Sequence, residues 1–252
     1  MALPKMLTSI VIPTGGLTFG WGYAGARTAV IPAGTYGSIL EVLIALDAAM
    51  TAQMAAWTMA ATNGFVSITF TAAWTAAWGT TDDALETLLG FAGTETVDGA
   101  KTLTATKRHQ SGWYAQCGAA HPPVRRTKVR RTQDLDDGTM TAYASEGVHQ
   151  RVPVTFGLLT PEALDEGGSA SDGAGGSVDW TDVTLYDWWQ DAASKPFRYY
   201  PDGADGTVAD PGAEGDEYTT RMLDSDEFAP DQVDPMVETW NAITLPMKII
   251  GS

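Results

Sequence analysis

One long apolar stripe at helical spacing, set among short strand-forming runs, constrains this 252-residue chain more than any other feature. Ile39, Leu43, Leu46, Met50 and Met54 fall at i, +4, +7, +11 and +15, along one face of a helix. Ser38 to Glu41 reads as a capping box: a Ser oxygen for an orphan N–H, and a Glu three residues later reaching back. Upstream, residues 7–36 alternate β-type runs (LTSIVI, LTFGWGY, TAVI) with Gly and Pro, which predicts strands joined by tight turns. The expected class is therefore α+β, mostly β, with antiparallel sandwich- or barrel-like sheets and about three helices, near 38–56, 82–89 and 182–193.

The other elements follow the same logic. Phe65–Trp74 reads as a strand. Thr80-Thr81-Asp82-Asp83 opens a short helix through Leu85, Leu88 and Leu89, and Gly90 stands where a left-handed C-cap is wanted. Residues 101–116 read as a hairpin-like pair, and Thr139–Ala144 and Val148–Leu159 as two strands. Leu185, Trp188, Trp189 and Ala192 mark the third helix, and Trp240–Ile250 a terminal strand. The Gly/Ser/Ala/Asp run at 165–177 predicts a flexible loop. It separates a β-rich domain, 1–164, carrying the long helix and a basic middle segment, from 178–252, which packs on the strand near 148–159 as part of the same fold.

Charge narrows the function. Acids outnumber bases 31 to 15, a net charge of −16, so the chain as a whole repels phosphate backbones and a nucleic-acid wrapper is disfavoured. Yet Lys101, Lys107, Arg108, Arg125, Arg126, Lys128, Arg130 and Arg131 hold 8 of the 15 bases in a stretch with no acid, while residues 202–238 hold 12 acids against Arg221 alone. Solvated loops that partly neutralise each other within a monomer are one reading. A head-to-tail assembly, in which the basic face of one subunit meets the acidic face of the next, is the other. Nucleic-acid contact by Arg125–Arg131 has the local charge but lacks interleaved stacking aromatics.

Catalytic signatures are sparse. Cys117 is the only cysteine, which excludes an internal disulfide and a multi-Cys metal site. His109, His121 and His149 lack zinc spacing and read as surface or hydrogen-bonded histidines. A Cys117–His121 nucleophile pair lacks an orienting third group. The acidic stretches Asp202–Asp210 and Asp224–Glu227 lack EF-hand spacing and read as solvated loops. There is no nucleophile elbow and no phosphate-binding loop. The expectation is a non-enzymatic protein with no cofactor, no metal and no catalytic residue. The apolar run near residue 1 is broken by Pro13, and Ile39–Ala61 carries Glu41, Asp47 and Gln53, so neither a signal peptide nor a membrane span is expected.

Nine Trp and eight Tyr predict core or interface packing ahead of ligand stacking. The run LYDWWQDAASKPFRYYPDGADG, then EYTTRMLDSDEF, then WNAITLPMKII resembles structural tail proteins of long-tailed bacteriophages. The residues that carry it are Trp188, Phe197, Arg198, Tyr199, Tyr200, Pro201, Asp202, Tyr218, Thr219 and Asp224, over about 70 residues, and Leu88–Phe91 resembles a segment upstream in such proteins. The resemblance implies a virion component of the tail tube, distal tail or baseplate, made in the host cytoplasm and built as a ring of β-rich subunits. Its partners would be copies of itself and other tail proteins, with nucleic acid only as passing cargo. The candidate subunit interface is Arg125, Arg126, Lys128, Arg130, Arg131, Trp188, Trp189, Arg198, Tyr199, Tyr200 and Asp202. The alternative is a carbohydrate-binding module on a virion or cell surface.

Overall fold

The computed structural model describes residues 4–54, 57–99, 101–116, 119–120, 125–134, 140–171, 176–192, 195–201, 206–211, 218–222, 228–232 and 241–251. Five strands, β1 (Lys5–Thr8), β2 (Ile10–Ile12), β3 (Leu17–Gly22), β4 (Ala26–Ile31) and β5 (Gly34–Tyr36), precede helix α1 (Ile39–Thr51). Strands β6 (Trp57–Thr62), β7 (Phe65–Phe70) and β8 (Thr75–Ala76) lead into helix α2 (Asp83–Leu89) and β9 (Thr102–Thr104). Then come β10 (Gly112–Tyr114), β11 (Ala119–Ala120), β12 (Arg125–Asp134) and the 20-residue β13 (Met140–Leu159). The chain ends with β14 (Ser169–Ser171), β15 (Ser177–Asp179), α3 (Leu185–Ala192), β16 (Phe197–Tyr200), β17 (Tyr218–Met222), β18 (Asp231–Gln232) and β19 (Asn241–Gly251). For β11, β12 and β13 up to Pro153 the description is of backbone path and register.

The architecture is α+β, mostly β, with antiparallel sheets throughout. Nine strands form one large sheet, ordered β10-β1-β16-β17-β19-β13-β11, with β12 also paired to β13 and β18 to β19. Small two- and three-stranded sheets, β2-β5, β4-β3-β8 and β6-β7-β9, surround α1 and α2. The capping box forms: the Ser38 hydroxyl accepts from the Glu41 amide at 3.4 Å, and the Glu41 carboxylate accepts from the Gly37 amide at 2.6 Å. Gly90 ends α2 at φ +81, in the left-handed conformation that a Cβ resists.

Two apolar cores result. The first gathers α1, α2 and the small sheets around Trp21, Trp57, Phe70 and Trp74, with Trp57 stacked on Phe70 at 4.3 Å and edge-on to Trp21 at 4.9 Å. The second lies on the large sheet beneath α3, around Trp113, Phe156, Trp180, Trp188 and Phe197. Each buried ring of this size contributes about 4–6 kcal/mol of transfer free energy, as an upper bound. Six tryptophans (Trp21, Trp57, Trp74, Trp113, Trp180 and Trp188) are buried, so packing consumes most of the aromatic surplus.

Three expectations are corrected. Residues 101–116 are not a hairpin: β9 pairs with β7, while β10 pairs with β1 in the other sheet. The two strands expected at 139–144 and 148–159 are one continuous strand, β13. The segment expected as a loop at 165–177 carries a turn of π-helix at Glu162–Glu166 and the paired strands β14 and β15. Among the described residues, no helix is long and apolar enough to cross a membrane.

Candidate functional site

The residues proposed from sequence separate into distinct environments. Arg125, Arg126, Lys128, Arg130 and Arg131 all lie on β12. Five bases against Asp134 give this ten-residue strand a net charge of +4, leaving −20 on the rest of the chain. Strand β12 pairs with β13 from Arg125↔Arg151 to Asp134↔Met140, with a bulge between Lys128 and Arg130. On its other edge β13 pairs with β19 only from Gln150 onward. Met140–His149 and β12 therefore form a hairpin arm that leaves the sheet and, at about 3.4 Å per residue, runs on for about 34 Å.

Of the other candidate interface residues, Trp188, Tyr199 and Tyr200 are buried within the chain itself, at 6%, 3% and 1% exposure. This corrects the expectation that they face a neighbour. Helical geometry explains Trp188, which shares the core-facing stripe of α3 with Leu185 and Ala192. Trp189 turns aside, half-buried, against Tyr186 and Phe228. Arg198 donates to Glu41 at 3.2 Å, a half-exposed ion pair that ties the large sheet to the first turn of α1. Asp202 lies outside the described residues, as do Cys117, His121 and Asp224–Glu227.

Residues outside the candidate interface build the seam between the two cores, among them His109, which is hydrogen-bonded. The segment 107–110 is stitched to the first core by backbone bonds: Lys107 N–H to Gly90 O, His109 N–H to Gly64 O and Gln110 N–H to Leu88 O. Its side chains turn the other way. His109 is fully buried, with Nε2 2.6 Å from the Tyr114 hydroxyl and Nδ1 2.9 Å from the Ser111 hydroxyl. Arg108 lies 4.4 Å over the Trp180 ring and donates to the Tyr114 carbonyl at 3.1 Å, while Lys5 sits 4.9 Å over Tyr200. Burial, and then the nearby Lys5 and Arg108 charges, hold the His109 pKa down at about 3, so the imidazole is neutral, one nitrogen donating and one accepting. The Ser–His–Tyr chain is enclosed, which suits a structural pin better than a nucleophile. The sequence signal is local, since Ser111 and Tyr114 lie two and five residues after His109, whereas Lys5 reaches the seam only through the pairing of β1 with β10.

Outside this seam lies a cleft of about 280 Å³ lined by Gln110, Asp182, Asp187, Trp188 and Asp191. It adjoins a hollow of about 220 Å³ reaching Lys107 and Phe91. Asp182 adopts φ +65, a conformation Asp tolerates better than most residues. Asp187 accepts from the Thr184 hydroxyl at 2.6 Å, capping α3, and Asp191 pairs with Lys195. Among the described residues no group of three or more His, Cys, Asp or Glu is placed to hold a metal ion. Asp182, Asp187 and Asp191, all exposed, give the cleft a negatively charged rim. No protein-family model, curated protein or solved structure matches this chain.

Proposed function

We propose that this chain is a structural virion protein of a tailed bacteriophage, a ring- or tube-forming tail or tail-tip subunit that assembles by head-to-tail contacts. The observation that supports it is the arm. A two-stranded ribbon is marginal in water by itself, and a long strand with an unpaired edge is a template for another chain. Among the described residues, neither the outer edge of β12 nor the β19-side edge of Met140–His149 has a strand partner. A neighbour that pairs with or covers the arm removes both liabilities. The charge asymmetry, +4 on β12 against −20 elsewhere, gives that contact direction and register.

Light scattering on the purified protein at low and high salt tests this reading. A discrete ring or growing tube that weakens as salt rises is expected, because screening acts over about 10 Å at 0.1 M. A strict monomer at every concentration and salt overturns it.

A second reading, a carbohydrate-binding module, draws on one feature. Tyr186, 36% exposed, lies nearly parallel to Trp189 (17°, centroids 6.1 Å apart) beside Phe228, an aromatic patch at the surface. Specific glycan-array binding, lost in Trp189→Ala, would favour it; an array without binding removes it.

A further inference from the structure

We infer that Thr207–Asp210 is a releasable strap that closes the edge of β6 and keeps a second copy of this chain from pairing there. The inference is independent of the assembly reading above. It begins with a length of chain that strand pairing does not require. Strands β16 and β17 are antiparallel neighbours, in register from Phe197↔Thr220 to Tyr199↔Tyr218. A hairpin of that kind closes with about two to five residues. Here residues 201–217 intervene, and part of that stretch reaches the other core. Thr207 makes an antiparallel bridge to Ala60 of β6, and the Val208 amide donates to the Met59 carbonyl at 3.1 Å. A turn follows at once. Thr207 and Asp210 exchange backbone bonds at 3.1 and 3.0 Å, and the Thr207 hydroxyl accepts from the Asp210 amide at 3.0 Å. The segment thus touches the first core along one strand edge and turns away.

Chemistry explains why that edge needs a cover. In the sheet β6-β7-β9 the two outer strands differ. Strand β9 is three residues long, a poor template for another chain, whereas β6 runs for six, Trp57–Thr62, with no charge and no proline. Short strands, charges and prolines are the usual ways an edge is blunted, and β6 has none of them. Its inward residues Trp57, Met59 and Ala61 are buried, which fixes a register that an arriving strand could extend. The strap supplies what β6 lacks. Residues 201–217 carry six acids and no base, and Asp210 is exposed beside the bridge. The grip is nevertheless slight. Val208 is the only residue of 201–217 that is apolar and larger than Ala, prolines aside, and it packs half-buried on the first core. One bridge and one half-buried Val open locally far more easily than the cores on either side. The cover can therefore lift without unfolding the strand beneath it.

Hydrogen exchange and sedimentation of the full-length chain test the strap. Val208→Asp removes the anchor and Val208→Ala weakens it more mildly, with circular dichroism to confirm that each variant folds. Ala60→Cys with Thr207→Cys, in a chain carrying Cys117→Ser, locks the strap by a disulfide, since facing residues of an antiparallel pair have the spacing one needs. Exchange at the strap-side amides of β6 is expected to rise roughly tenfold in Val208→Asp, to rise less in Val208→Ala and to fall in the oxidised lock. Exchange at Ile68 in β7 and at Trp113 in the large sheet is expected to match the wild type. The released edge is then expected to pair. At high salt, where charge-guided contacts are screened, Val208→Asp sediments as a larger species than the wild type, and adding Thr58→Lys to it restores the wild-type value. Unchanged exchange at β6, or an equal rise at β6, Ile68 and Trp113, overturns the strap. Faster exchange at β6 with wild-type sedimentation overturns its guarding of the edge.

Discussion

His109 shows how one side chain at a seam sets the response to pH. Its ordinary pKa of 6.5 falls to about 3 in the folded chain, so below pH 6.5 the unfolded chain takes up a proton that the native state refuses. The stability tied to neutral His109 is thus fully present above pH 6.5 and is lost as pH falls toward 3. Its contribution to the slope approaches about 1.4 kcal/mol per pH unit within that window. Urea midpoints from pH 7 to pH 4 check this by difference. In His109→Gln the acid-side loss becomes shallower than in the wild type, because the carboxylates titrate in both and cancel. Equal slopes would mean that the ring is not held neutral by its surroundings. The sequence permits a hydrogen-bonded His109 next to Arg108, but it does not say that both are buried or that a second buried cation, Lys5, stands near them. Lys5 is 104 residues upstream, brought there by strand pairing.

Local elements were the most readable part of the fold, because their signals involve residues a few positions apart. Ser38 and Glu41 announced α1, and Gly90 the end of α2, through backbone groups that must find partners wherever the helix lies. Removing the cap in Ser38→Ala should cost about 1 kcal/mol, read as a lower thermal midpoint with unchanged circular dichroism. A further local signal sits between β6 and β7. Asn63 and Gly64 adopt φ +48 and +86 and join β6 to β7, the two-residue turn in which both central residues need positive φ. Phe65–Trp74 reads as a strand from the sequence and forms one over Phe65–Phe70, but its partner Trp57–Thr62 follows the helix too closely to stand out. Gly64 also touches the seam: a Cβ there would lie 2.9 Å from the Tyr114 ring, and its carbonyl accepts from His109 N–H. Gly64→Ala therefore combines a disfavoured φ with a clash, and should cost about 2 kcal/mol or more. An Ala variant as stable as wild type would show that the two cores meet with slack at this turn.

What sequence periodicity could not supply is the order of strands, since pairing partners are chosen by the sum of many contacts. Strand β1 is the clearest case: it lies between β10 and β16, more than 100 and 190 residues away, and holds the edge of the large sheet in place. Met6 and Leu7 are fully buried on its two faces, Met6 in the core under α3 and Leu7 with Tyr114 and Tyr200. Yet residues 10–105 close a separate apolar core. The first strand is thus covalently next to one core and structurally part of the other, which the expected boundary at 164 did not anticipate. Pairings this distant in sequence impose a large loop-closure cost before any contact rewards it, so the large sheet should consolidate after the first core. Deleting residues 1–8 tests the independence of the two. Strand β10 then loses its one strand partner among the described residues, and β16 loses the neighbour on one side. Hydrogen exchange should show protection collapsing at Gly112–Tyr114 and Phe197–Tyr200 while Trp57–Phe70 stays protected, because α1 and the β6–β7 hairpin keep all their contacts. Loss of protection at both places to the same extent would mean that the Arg198–Glu41 pair and the His109 seam bind the cores into one cooperative unit.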